Sequence, residues 1–134
     1  MNVFKSFVVV VLIIWANAIA AQSSQLARQY FSTGEYEKAG EIYEELYKKS
    51  KNSTYFSYYI KCLTATEDYS KAESMIKKEI KRNPRPDLFV IYGDLYELQS
   101  QMDKAQVQYK KAIESLDKSP NNITNLARAF KRSS

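Results

Sequence analysis

Few side chains in this 134-residue chain could take part in catalysis or metal binding. The chain has no histidine, which excludes an imidazole base and an imidazole metal ligand. Its single cysteine, Cys62, cannot build a thiolate metal site. We interpret Cys62 as a buried apolar thiol, with an intermolecular disulfide as the alternative. The sequence has neither a glycine-rich phosphate loop nor a Gly-x-Ser-x-Gly motif.

Carboxylates are the remaining groups that could act as acids or bases. Glu44 with Glu45, or Asp94 with Glu97, could pair in space. In a chain with 26% charged residues, acids at helical spacing are typical of a solvated surface. The sequence therefore predicts a protein that is not an enzyme and that uses no cofactor, metal or small-molecule substrate.

The composition indicates one domain made of helices. Three glycines and three prolines leave little material for tight hairpin turns, and no stretch alternates like a strand over a useful length. The net charge of +5 is modest and indicates a solvated surface. Nucleic-acid-binding proteins cluster their basic residues on one face, so we expect no nucleic-acid partner.

A segment repeated three times organises the chain. Ala39, Ala72 and Ala105 each follow a lysine and precede an aromatic or aliphatic residue by four positions, and they are spaced 33 residues apart. A second periodic set lies upstream of each alanine and recurs once more near the end of the chain. Its members are the pairs Leu26-Ala27, Tyr59-Ile60, Tyr92-Gly93 and Leu126-Ala127. A fixed period of this length is typical of stacked helical repeats.

The pattern resembles the tetratricopeptide repeat (TPR), a helix–turn–helix unit of 34 residues. The resemblance covers roughly residues 23–132 and comprises three repeats plus the first helix of a fourth. It implies an all-α fold, a right-handed α-solenoid of antiparallel helix–turn–helix repeats. The expected units are about 22–52, 53–85 and 86–119, followed by a final helix over 120–132. Ser23 and Ile60 depart from the residues that are usual at their positions in the family.

The turn signals place seven helices, at about 23–31, 35–49, 54–64, 69–82, 86–98, 102–116 and 120–132. Gly34 is well placed for a left-handed residue after the first helix, and Pro84 and Pro86 separate the fourth helix from the fifth. Close helix crossings need small side chains. The candidates are Ala27, Ala39, Ala72, Gly93, Ala105 and Ala127.

The first 21 residues have the plan of a secretory signal peptide. Lys5 precedes an unbroken apolar run, Phe7–Trp15, which is followed by mostly small residues. We predict cleavage between Ala18 and Gln22, export to a periplasm or a secretory route, and a mature domain over 22–134. An uncleaved membrane anchor is the alternative, although the apolar stretch is shorter than the roughly 20 residues that a span needs.

The export route also decides the meaning of two glycosylation motifs. Asn52-Ser53-Thr54 and Asn122-Ile123-Thr124 match the acceptor pattern for N-linked glycans. The motifs have a role only in a eukaryotic secretory route.

The TPR resemblance implies a binding surface and a function. In the family, the first helix of each unit lines a concave groove, and the residues that would point into it here are Arg28, Tyr58, Lys61, Asp94, Glu97 and Arg128. We therefore predict an exported, non-catalytic scaffold that binds an extended protein segment of mixed charge. Arg28, Lys61 and Arg128 would bind acids, and Asp94 a base. The alternative is an N-terminal repeat segment or accessory domain of a longer envelope-assembly protein or enzyme.

Overall fold

The computed structural model describes residues 2–116 together with Thr124, Ala127, Arg128, Phe130 and Lys131. These residues form α-helices joined by short turns, and none of them lies in a strand. The predicted all-α class is confirmed. The chain divides into two compact units, Met1–Thr66 and Glu67–Ser134.

Unit 1 contains α1 (Asn2–Ser32), α2 (Tyr36–Ser50) and α3 (Ser53–Ala65). Helix α2 packs against both α1 and α3. Its first turn carries Glu37 and its last turn Lys48 and Lys49, which suits the helix dipole. Helix α1 begins at Asn2, whereas the sequence predicted a helix from about residue 23. No proline or glycine occurs before Gly34, so nothing in this stretch interrupts the helix.

Unit 2 contains α4 (Tyr69–Arg82), α5 (Pro86–Leu98) and α6 (Met102–Glu114). Helix α5 packs against both α4 and α6. Both ends of α4 and α5 lie where the sequence predicted them. The Asp68 carboxylate accepts a hydrogen bond of 3.2 Å from the Lys71 N–H and caps α4. Pro86 occupies the first turn of α5, where its missing N–H costs nothing.

The turn within each repeat has the same backbone conformation. One residue in each turn has a positive φ, of 80°, 60° and 59° in chain order, and these residues are spaced 33 apart. They are Gly34, Glu67 and Ser100. Each is followed by the N-cap residue that directly precedes the second helix of its repeat, and these N-caps have similar torsions, φ between −97° and −80° and ψ between 59° and 62°. The repeat predicted from side chains is therefore also a repeat of the backbone.

Most of the periodic small residues lie in the cores of the two units. Five of the six predicted positions are buried, namely Ala27, Ala39, Ala72, Gly93 and Ala105. The sixth prediction is wrong, because Ala127 is exposed: nothing in the described part of the chain covers it. The five described residues beyond Leu116 are helical. The rest of the predicted final helix, 120–132, lies outside the described residues.

Candidate functional site

Three of the six predicted groove residues belong to unit 1. Arg28 lies on α1, and Tyr58 and Lys61 lie on α3. The Arg28 and Lys61 side chains are exposed, whereas Tyr58 is half-buried. Arg28 forms no ion pair with any carboxylate among the described residues, so its guanidinium is available to an acid from outside the chain.

Tyr58 lies in an aromatic cluster that anchors it to the core of unit 1. Its ring stacks on Tyr43, with centroids 4.9 Å apart and planes 12° apart, and it meets the edge of Phe31 at 5.3 Å. Tyr43 is 1% exposed, and its buried hydroxyl has no hydrogen-bond partner among the described residues. Burial raises the pKa of Tyr43 to about 12, and Arg28 opposes that shift. The cluster therefore packs the partly exposed Tyr58 ring against Tyr43, whose hydroxyl is within electrostatic reach of Arg28.

The other three predicted residues belong to unit 2, where two of them converge. Asp94 and Glu97 lie on α5, and Tyr109 on α6 places its hydroxyl between them. The Tyr109 Oη lies 2.9 Å from Asp94 Oδ1 and 2.7 Å from Glu97 Oε2. Burial and these carboxylates raise the pKa of Tyr109 well above its usual range. The Tyr109 hydroxyl thus lies between two carboxylates, and the pair concentrates negative charge on this part of α5.

Arg128, the sixth predicted residue, is helical and exposed. Phe130, two residues after Arg128, packs near Tyr109 of α6, and the centroids of the two rings are 6.4 Å apart. The six predicted positions thus divide between the units: unit 1 carries two bases and an aromatic ring, and unit 2 carries an acidic pair and one base.

Sequence reasoning missed a second polar network in unit 2. The Tyr92 and Tyr96 rings stack with centroids 4.6 Å apart, and both hydroxyls reach Glu73 Oε1, at 2.7 Å and 3.0 Å. Lys77 pairs with the same carboxylate at 2.8 Å. Hydrogen bonds from Lys77 and Tyr92 lower the pKa of Glu73 to about 2. The i, i+4 spacing of the two tyrosines was visible in the sequence, but nothing there indicated their partner on α4.

The side chains most suited to metal binding or nucleophilic chemistry lie apart or buried in the part of the chain that is described. No three histidine, cysteine, aspartate or glutamate side chains come together there as a metal site. Cys62 is buried and free of disulfide bonds, and burial raises the pKa of its thiol to about 12. The burial of this thiol agrees with its interpretation from the sequence, and a thiol with a raised pKa is unreactive at neutral pH.

The N-terminal part of α1 exposes apolar side chains. Phe7, Val8, Val9 and Val10 are 42–67% exposed. Among the residues that the structure describes, no helix combines the length and the apolar character that a membrane crossing needs. The predicted cleavage between Ala18 and Gln22 stays a prediction.

The backbone resembles a solved repeat domain. It is similar to the TPR2AB domain of yeast Sti1, determined as a complex with pHSP90, with a TM-score of 0.64 and 16% sequence identity. The match covers 87% of this chain and 48% of that chain. The chain has a TPR-like fold. The α-solenoid architecture that the 33-residue period predicted is thereby confirmed.

Two curated proteins also match this TPR-like chain. BBSome complex member BBS4 of Mus musculus is 27% identical over 103 residues, and its counterpart in Bos taurus is 25% identical over 103 residues. Each alignment covers 76% of this chain and 20% of the relative. The chain therefore spans about a fifth of the length of the curated relatives it matches. No family model matches the chain.

Proposed function

We propose that this chain is an exported, non-catalytic scaffold that binds an extended protein segment in the groove implied by its TPR-like repeats. The observation that carries the proposal is the fold itself. It is shared with a domain whose solved structure is a complex with another protein. A helical-repeat surface of this kind offers an extended face for contact and needs no catalytic groups.

The charges on the two units support a partner of mixed charge. Unit 1 carries two exposed basic groups, Arg28 and Lys61, and the half-buried ring of Tyr58, a combination suited to a segment with both acidic and apolar side chains. In unit 2, Asp94 and Glu97 share one Tyr109 proton and suit a lysine or arginine. Arg128 supplies a further base.

A second candidate is a repeat segment that serves a larger assembly, or an accessory domain of an enzyme. The similarity to a member of the BBSome complex favours the first of these, because the matching residues there form a fifth of a complex subunit. In that setting the chain would stack against further protein rather than capture a mobile segment. Both candidates assign protein binding to the chain, and they differ in the partner.

Export is the part of the proposal that concerns localisation. It is supported by the sequence pattern of residues 1–21, a charged start, an apolar run and small residues. Intact mass and N-terminal sequencing of the secreted protein provide the test. We expect a mature N-terminus between Ala18 and Gln22. A mature protein that keeps Phe7–Trp15 would instead support a membrane anchor.

Protein binding is tested by affinity capture from the envelope or secretory fraction of the exporting cell. The wild type is compared with the triple variant R28A/K61A/R128A, after circular dichroism has shown that both are folded. We expect the wild type to retain a partner that the variant loses. An identical set of captured proteins would exclude the basic residues as the binding site.

A further inference from the structure

The turn between α2 and α3 carries one of the two glycosylation motifs, and the structure shows how its asparagine is held. Asn52 lies in extended conformation, φ −71° and ψ 126°, directly before Ser53, the first residue of α3. Its side chain is exposed. The residue at the middle position of the motif is Ser53 and not proline, as the acceptor pattern requires.

The two ends of the Asn52 carboxamide have different roles. Oδ1 accepts a hydrogen bond of 2.7 Å from the Thr54 N–H and caps α3. Nδ2 donates to no other group among the described residues. The cap therefore uses the oxygen and leaves both N–H bonds of the exposed Asn52 carboxamide available.

The turn itself is ordered by contacts that do not involve Nδ2. Lys51 adopts the left-handed conformation with φ 54°, and its N–H donates to the Tyr47 carbonyl at 2.8 Å. The Asn52 N–H donates to Ser50 Oγ at 3.2 Å. A bulky group on Nδ2 would extend into solvent without breaking any of these hydrogen bonds.

We propose that Asn52 is the attachment site of an N-linked glycan, joined through Nδ2 while Oδ1 continues to cap α3. The proposal rests on the export included in the proposed function, and specifically on a eukaryotic secretory route. The donor is an oligosaccharide carried on a lipid pyrophosphate. A bond forms between Nδ2 and C1 of the sugar, the C1–O bond to the pyrophosphate breaks, and the lipid pyrophosphate leaves with the electron pair. One Nδ2 proton is lost to a base of the transferase.

A glycan here has a consequence for partner binding. It is bulky and hydrophilic, so it prevents close protein contact at the α2–α3 turn. Any partner of unit 1 would then have to approach from another side.

The test is expression of the complete chain in secreting eukaryotic cells, followed by treatment with a peptide N-glycosidase. One arm uses the chain's own N-terminal segment, and a second places the complete chain behind an established secretory signal. Cell extracts and medium are both analysed, because transfer occurs on entry into the compartment. We expect the enzyme to reduce the apparent mass and to convert Asn52 to aspartate, as read by peptide mapping.

Matched variants distinguish loss of the glycan from loss of the helix cap at Asn52. N52D removes the acceptor nitrogen but keeps an oxygen that can accept the Thr54 N–H, and T54A removes the third residue of the motif. Both should abolish the shift at this site. S53A keeps the motif and should leave the shift unchanged. N122D reports on the second motif, whose asparagine lies outside the described residues.

Two results would overturn the proposal: a chain that enters the compartment in the second arm without modification at Asn52, or a mass shift that N52D and T54A leave unchanged. Modification in the second arm alone would mean that the chain's own N-terminal segment does not export it, so the export proposal would fail while the assignment of Asn52 stands. If the first arm exports the chain without modification at Asn52, the export proposal stands and the assignment of Asn52 fails.

Discussion

Gly93 lies directly under the ring of Tyr109, and replacing it with alanine tests the repeat packing of unit 2. A Cβ built on Gly93 would lie 2.6 Å from Tyr109 Cδ1 and 2.8 Å from Cζ, with Cε1 closer still. The ring cannot easily move aside, because its hydroxyl donates to carboxylates of α5, the helix that carries Gly93. Overpacking of this kind costs about 1–3 kcal/mol.

The helix propensity of alanine opposes that cost. Alanine is favoured over glycine inside a helix by about 0.8–1.0 kcal/mol, so we expect G93A to lower the free energy of unfolding by about 0–2 kcal/mol. In a Y109A background the clash is absent, and the same substitution should raise the free energy of unfolding by up to about 1 kcal/mol. The change of sign is the specific prediction.

The assay is chemical denaturation of wild type, G93A, Y109A and the double variant. The cycle should give a coupling energy of about 1–3 kcal/mol between the two positions. G40A is a matched control, because a Cβ there would meet only Cys62 Cβ, at 3.2 Å, and it should be tolerated better than G93A. Equal effects of G93A in both backgrounds would refute the reasoning.

Three further predictions concern the turns, an ionised network and the core. S100G should stabilise the protein by about 0–1 kcal/mol, because glycine tolerates the positive φ of 59° at this position but loses more backbone entropy on folding. G34A should destabilise the protein. Thermal melts measure both effects. Glu73 has a pKa lowered from 4.5 to about 2, so its contribution to stability is present above pH 4.5 and is lost as the pH falls toward 2. E73Q should flatten that part of the pH profile in urea titrations, and an unchanged slope would contradict the assignment. A72L should cost about 1–3 kcal/mol, whereas exposed K38A should change stability by no more than about 0.5 kcal/mol; equal tolerance would mean that the repeat register is wrong.

The sequence predicted the helices well because their signals are local. The starts of α4 and α5 rest on the Asp68 cap and on Pro86, and α2, α3 and α6 ended within two residues of the predicted bounds. The beginning of α1 was missed, because residues 1–21 were interpreted as a signal peptide and the first helix was placed after them. Helix continuity depends on the backbone, and the change from apolar to polar side chains does not interrupt it.

The candidate site was less predictable, because it depends on partners that are distant in the sequence. The periodicity placed Asp94 and Glu97 on one face of α5, but it could not show that Tyr109 bridges them from α6. The left-handed residue at Gly34 was predicted from its type. Glu67 and Ser100 take the same conformation although they are not glycines, because the repeat geometry imposes it on the second residue after the first helix of each repeat.

The central claim, that the chain binds an extended protein segment through these positions, is tested most directly by peptide affinity. Extended peptides are selected from a random displayed library on the mature protein, and their dissociation constants are measured for the wild type, for R28A/K61A/R128A and for K49A/K78A/K110A. The second triple removes the same charge from exposed lysines of α2, α4 and α6. We predict a loss of at least about tenfold, or 1.4 kcal/mol, in the first triple only. Equal weakening in both variants, or no selected peptide at all, would contradict the account.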